Sequence, residues 1–283
     1  MIVYMDGKLH RGIIILLVLC LAPLFTGCGK SKTREHQSLD QYIIMEAEKK
    51  YQSPDWKIRL EAIQDIIGIS NYGTLSMADK QTESLLLDAT RDIHGAVKIE
   101  ALKGLARYHS DRVLNRLLEM SLDERDGNVR WFTLLTLGQH RSPRAVPAFL
   151  QNIKSEDWLI REASIKGILL LRDETLQRDL EPQIIKALND PSISVKITTL
   201  KYLSIKSPGI YEALSSIIKA KTPPPYSLMR SALVAIKGYS LDSATREKII
   251  TLLTHSNTTI RILALRVLKE EQNIPVLEEK TDR

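Results

Sequence analysis

Cysteine is almost absent from this 283-residue chain. It has two, Cys20 and Cys28, both in the first tenth of the sequence. A disulfide framework is therefore excluded for everything that follows, and so is any cysteine-based metal cluster. Aromatic residues are sparse at 5%, and with abundant Leu and Ile this suits stacked helices. No glycine-rich phosphate loop and no G-x-S-x-G elbow is present. The histidines beyond the N-terminal segment, His36, His94, His109, His140 and His255, show no i, i+4 pair, so metal-site spacing is absent. The acidic run Asp123-Glu124-Arg125-Asp126-Gly127-Asn128 also fails as a calcium loop. Aligning Gly127 with the loop glycine puts Leu122 and Thr133 where carboxylates are required.

What the chain does have is a repeat. A bulky apolar residue stands directly before a basic one at Ile58-Arg59, Val97-Lys98, Val129-Arg130, Ile160-Arg161, Val195-Lys196, Met229-Arg230 and Ile260-Arg261. The gaps between the basic residues are 39, 32, 31, 35, 34 and 31. Self-similarity at this period marks a solenoid, whose units bury their apolar faces only against neighbours.

The residues after each pair fix a helical register. Four places on come Ile63, Leu102, Leu134, Ile165, Leu200, Val234 and Leu265. Seven places on come Ile66, Leu105, Leu137, Ile168, Leu203 and Leu268, with Lys237 as the exception. Three places on stand Ala62, Ala101, Thr133, Ser164, Thr199 and Ala264, with Leu233 as the exception. These spacings share one helix face, and the small residue allows close approach of a neighbour. Asp55, Asp126 and Asp157, each four residues before the basic position, are placed to cap the helix N-terminus.

A second helix follows after breaks such as Gly73, His109-Ser110-Asp111, Pro143 and Lys206-Ser207-Pro208-Gly209. In the second copy Val113, Leu114, Leu117, Leu118 and Met120 form its apolar stripe, leaving Arg112, Asn115, Arg116 and Glu119 for solvent. Thr222-Pro223-Pro224-Pro225-Tyr226 reads as a stiff connector between the fifth and sixth copies.

These residues resemble the HEAT repeats, particularly the short bacterial HEAT-like type, from about Ser53 to Leu268. The resemblance implies an all-α, right-handed α-solenoid of about seven stacked helix-turn-helix units. It also implies that the basic residues lie in a ladder with aspartates of adjacent repeats. Pro225-Tyr226 and Met229 in the sixth copy, and Asn257 in the seventh, depart from the pattern. Some HEAT-like proteins are associated with bilin lyase activity, so the fold alone does not exclude an enzyme.

The N-terminus carries a separate signal. Lys8, His10 and Arg11 precede an apolar run from Ile13 to Phe25, followed by Thr26-Gly27-Cys28 and a polar stretch. A basic start and a short apolar core describe a secretory signal over residues 1–27. The run is shorter than the roughly 20 residues a bilayer crossing needs. Leu24-Phe25-Thr26-Gly27-Cys28 resembles a bacterial lipobox, which implies acylation of Cys28, with Phe25 departing from the usual aliphatic residue. By the same resemblance Gly29, in place of an aspartate, points to the outer membrane, on its periplasmic side. Residues 28–37 are expected to be a lipidated polar tether and 38–283 the solenoid, opened by a capping helix from Leu39 to about Lys50.

The expectation for function is a membrane-anchored lipoprotein whose solenoid binds another protein of the cell envelope, with Arg112, Arg116 and Glu119 as contact residues. Without a recognisable catalytic set, no enzymatic activity, cofactor, metal or small-molecule substrate is expected. A structural spacer and an envelope enzyme remain the alternatives. Removing residues 1–27 lowers the net charge from +6 to +5. That modest charge, with several of the basic residues at the repeated helix position, together with export, argues against nucleic acid as a partner.

Overall fold

The computed structural model describes residues 31–70 and 78–272, with side chains over 41–68 and 80–271. Residues 1–30, which include the expected signal segment and Cys28, lie outside the described residues. The described chain is all-α, and its helices follow one another in two layers. The layer of first helices comprises α2 (Trp56–Ser70), α4 (Gly95–Leu105), α6 (Gly127–Gln139), α8 (Trp158–Leu170), α11 (Ile193–Tyr202), α13 (Tyr226–Ala235) and α15 (Thr258–Gln272). Each packs on the next in that order. The second helices are α3 (Ala78–Ala89), α5 (Asp111–Asp123), α7 (Val146–Asn152), the broken pair α9 (Glu174–Asp179) and α10 (Glu181–Leu188), α12 (Pro208–Lys219) and α14 (Ser243–Thr251).

Ahead of the repeats stands α1 (Ser31–Tyr51), which packs against both α2 and α3. Residues 31–37, read from the sequence as a tether, belong to this helix. No helix among the described residues is long and apolar enough to cross a membrane.

The repeat pattern acts as the spacing requires. Ile63, Leu102, Leu134 and Ile165 are fully sealed, and so are the small residues Ala62, Ala101, Thr133, Ser164, Thr199 and Ala264. The buried hydroxyls are satisfied without a partner helix. Thr133, Ser164 and Thr199 each donate to the carbonyl four residues back, at 2.9, 2.7 and 2.7 Å. Asp55, Asp126 and Asp157 accept from backbone N–H groups at 2.9 Å, as capping requires. Asn257 caps α15 in the same way.

The sixth copy needs a new register. Leu228, Met229, Ala232, Leu233 and Ile236 are its buried residues, while Val234 is exposed. The apolar-basic pair is therefore Leu228-Met229, with Met in the basic place. Ala232, Leu233 and Ile236 then fall three, four and seven places on, and both exceptions seen in the sequence vanish. Arg230, which suggested the other register, points to solvent.

The ladder exists, but its acids are not the capping aspartates. Arg59 donates to Asp92 through Nε at 2.6 Å and Nη2 at 2.9 Å, and Nη1 reaches the carbonyls of Ser53 and Pro54. Arg161 does the same with Asp190, Ser155 and Glu156. Lys98 reaches Glu124 at 2.7 Å. In every case the acid lies six residues before the basic position of the next copy. Arg130 finds Ser155 at that place and turns to Asn152 instead, at 2.7 Å. For Lys196 the place is Pro223, so the ladder lapses there. Burial pushes the Asp92 carboxyl up, but bonds from Arg59 and the His94 N–H outweigh it and hold the group below its ordinary value.

Beyond the lapse the repeats are joined at the opposite edge, where first helices end. Lys206 Nζ donates to the Lys237 carbonyl at 3.0 Å, Lys237 meets Glu270 at 2.7 Å, and Arg246 pairs with Glu271. The same edge holds His109 and His140, in equivalent turns, with ring centroids 4.9 Å apart. Nε2 of His140 is buried without a hydrogen-bond partner. Burial, then the neighbouring His109, push its pKa below the ordinary value.

Two arginines on this edge, Arg141 and Arg172, adopt φ of 49° and 52°, where the equivalent turn of the sixth copy has Gly238 at 72°. A non-glycine residue there costs about 1–2 kcal/mol. A cation near a helix C-terminus recovers only about 0.3–1 kcal/mol.

Three outcomes are expected. Arg59→Leu leaves the nearly buried Asp92 carboxylate unpaired and should lower unfolding free energy by about 3 kcal/mol in urea titration. Gly167→Ala puts a Cβ 2.3–2.8 Å from the fully buried Phe149 ring. The overpacking penalty of about 1–3 kcal/mol exceeds the gain of at most about 1 kcal/mol from replacing a helical glycine, so the variant should melt lower. The third concerns pH. Because the folded state depresses His140, its contribution is present above about pH 6.5 and lost as pH falls below that value. Melting temperature should drop between pH 7.5 and 5, and the drop should be smaller in His140→Phe.

Candidate functional site

The second helices turn one face to the core and the other to solvent. On α5, Val113, Leu114, Leu117 and Met120 are buried. The helix starts at Ser110, whose Oγ accepts from the Val113 N–H and donates to Glu83 of α3 at 2.8 Å. This fixes the rotation of α5 and aims Arg112, Asn115, Arg116 and Glu119 outward, beside the end of α3. Between the two lies a cleft of about 280 Å³, lined by Leu87, Asp88, Arg91 and those four residues.

The three residues singled out from the sequence, Arg112, Arg116 and Glu119, thus come together, with different roles. Arg116 is held on three sides. Its Nε donates to Thr90 Oγ1 at 2.8 Å, Nη2 to the Thr90 carbonyl at 3.1 Å, and Nη1 meets Glu119 at 2.9 Å. It clamps α5 to the end of α3. Arg112 is exposed and makes no ion pair or side-chain hydrogen bond to a described residue. From the next repeat Arg144 reaches Asp111 at 2.8 Å and Asn115 at 2.7 Å, extending the arginine-lined surface. The chemistry available is recognition of carboxylate or another planar anion by a guanidinium beside a rigid one.

A second cleft, of about 500 Å³, was not found from the sequence. Tyr211, Ser215 and Lys219 of α12 line it with Asp242. Tyr211 donates to Asp242 at 2.7 Å and accepts from the Asp242 N–H at 2.8 Å, while Ser215 and Thr245 are 2.6 Å apart. The Thr245 N–H and the Tyr211 and Thr245 hydroxyls hold the Asp242 carboxyl well below its ordinary value. The bonds of Tyr211 to Asp242 and of Ser215 to Thr245 join repeats five and six. The 31-residue spacing of Tyr211 and Asp242, one repeat, was the signal available. Among the described residues no group of three or more His, Cys, Asp or Glu could hold a metal ion.

No family model matches the chain, and no curated protein matches it either. Solved structures do. YibA of Escherichia coli is 12% identical, with a TM-score of 0.53, covering 89% of this chain and 100% of that one. The complex of CpcE and CpcF of phycocyanin lyase from a Nostoc species is 16% identical, with a TM-score of 0.48 and coverage of 89% and 98%. Human deoxyhypusine hydroxylase in complex with glycerol is 12% identical, with a TM-score of 0.41 and coverage of 84% and 99%. At such identities the likeness shows the fold alone, an all-α solenoid of HEAT-like helical repeats. The expectation that the chain has no enzymatic activity is corrected at this point. Two of these proteins are enzymes by name, a lyase and a hydroxylase, and the expectation is withdrawn. The absence of a sequence motif does not separate a scaffold from a catalyst when active groups can come from different repeats.

Proposed function

We propose that this chain is a membrane-anchored bacterial lipoprotein whose solenoid binds another protein of the cell envelope through its layer of second helices. The observation that carries the reading is Arg112, an exposed guanidinium without a partner among the described residues, set beside the immobilised Arg116 at the mouth of a cleft. A partner presenting carboxylates would complete it. Holding Arg116 in advance reduces the ordering entropy lost on binding. Glu119 completes the rim and favours a partner with a mixed, mainly acidic contact.

The anchor is Cys28, at the end of an apolar run bounded by basic residues, with the protein on the periplasmic side of the outer membrane. Several acyl chains give stable attachment where one gives only marginal binding. The test is crosslinking and capture from native membranes with wild type, Arg112→Glu and Cys28→Ala. Charge reversal at Arg112 should reduce recovery of a specific envelope protein by about tenfold or more, corresponding to about 1.4 kcal/mol. Equal recovery with Arg112→Glu would remove the second-helix surface from consideration. Equal membrane attachment of Cys28→Ala would remove the anchor.

A further inference from the structure

We infer that the edge of the solenoid where first helices end lies against anionic lipid headgroups, through a row of basic residues in successive turns. The inference rests on the lipid-anchor reading for its orientation and on the following observations for its chemistry. Arg107 follows α4, Arg141 follows α6, Arg172 follows α8, Lys206 follows α11 and Lys237 follows α13. Neighbouring helices pack about 8–10 Å apart, so the row is a line of basic residues along the stack, in which Lys237 is paired with Glu270. Arg141 and Arg172 are exposed and make no ion pair or side-chain hydrogen bond to a described residue.

Several carboxylates on this edge are already engaged, while Glu174, next in sequence to Asp173, is exposed and 3.9 Å from Arg178. Asp111 pairs with Arg144, Glu270 with Lys237 and Glu271 with Arg246, while Asp173 caps α9. The ion-paired carboxylates are balanced within the fold; Asp173, met by a backbone N–H alone, keeps its charge beside Arg172, whereas the turn of Arg141 carries no carboxylate. Both arginines also hold left-handed backbone where glycine would be relaxed, a strain that the helix dipole does not offset. Retained strain is a pointer to a role outside folding.

The chain's own course selects a membrane as the occupant. Only four residues separate the end of α1 from the start of α2, and the two helices pack against each other, so they run antiparallel. With 21 residues against 15, α1 is about 31 Å long and α2 about 22 Å. The start of α1 therefore lies about 9 Å past the end of α2, on the same side as the basic row. Cys28 is three residues before Ser31, within about 10 Å of it along an extended chain. An acylated Cys28 would bring this edge, rather than either helix layer, to the bilayer surface, where basic residues are attracted by anionic lipid.

The test uses the full acylated protein on vesicles of phosphatidylcholine alone, or of phosphatidylcholine with phosphatidylglycerol. Hydrogen exchange is read in the turns around residues 107, 141 and 172. Exchange there should slow several-fold on the anionic vesicles only, and revert in high salt, which shortens the screening length. The double variant Arg141→Gly, Arg172→Gly should lose that protection, and its binding to anionic vesicles should weaken by about tenfold or more. Glycine suits both backbone positions, so a melting temperature at or above that of wild type verifies that the variant is folded. Equal exchange on both vesicle types, or unchanged protection in the double variant, would overturn the inference. Flotation of wild type with phosphatidylcholine vesicles reports the anchor separately. Failure there removes the anchor, while protection on anionic vesicles still decides the edge.

Discussion

A helix pair of this chain cannot seal its own apolar face; a neighbour must do it. Leu134, in the middle of the stack, is 0% exposed, whereas Leu265, in the same place of the last copy, is 45% exposed because no described helix follows. The two residues differ only in what stands next to them. Burying such a side chain contributes about 1.5–3 kcal/mol, so each interface between copies stabilises both units it joins. At the other end α1 covers the first pair. Stability in this architecture is a sum of units and nearest-neighbour interfaces. A local defect therefore weakens one junction without abolishing the fold.

Polar joints follow the same economy of neighbours, and they change character along the chain. Three of the first four junctions are tied where second helices give way to first helices, by Arg59, Lys98 and Arg161, while Arg130 bonds Asn152 of its own copy. Later junctions are tied mainly through Tyr211, Lys206 and Glu271, on α12, after α11 and on α15. The core divides one copy earlier. Buried residues from Ala47 to Leu180 form one cluster and those from Ile165 to Val267 another, with α8 contributing to both. Pro223, standing where the next ladder acid belongs, gives a physical reason for the switch in polar joints. It cannot supply a carboxylate, and the partner of Lys196 is lost.

This arrangement frees charge for use elsewhere. Asp92 and Asp190 are consumed by the ladder, and Arg116 by Thr90, so neither set is available to a partner. Arg112, Arg141 and Arg172 are among the cations that remain. The first faces outward from a second helix and the other two from the turn edge, so a protein and a lipid surface can be engaged on different sides of the molecule.

The sequence by itself determined the fold class, the number of copies, the capping aspartates and the buried face of nearly every first helix. It could do so because helical period and capping are local, read within about seven residues. The tertiary structure alone decided the rest. It moved the sixth copy to Leu228-Met229, since two registers one residue apart both offer aliphatic residues and only burial distinguishes them. It assigned the ladder to Asp92, Glu124 and Asp190, since a guanidinium reaches across a repeat to whichever carboxylate the stack brings near. It placed His109 beside His140, separated Arg112 from Arg116 in role, and collected five basic turns on one edge. Each of these depends on distances between residues about one repeat apart, which the stacking of helices sets and the local pattern does not contain.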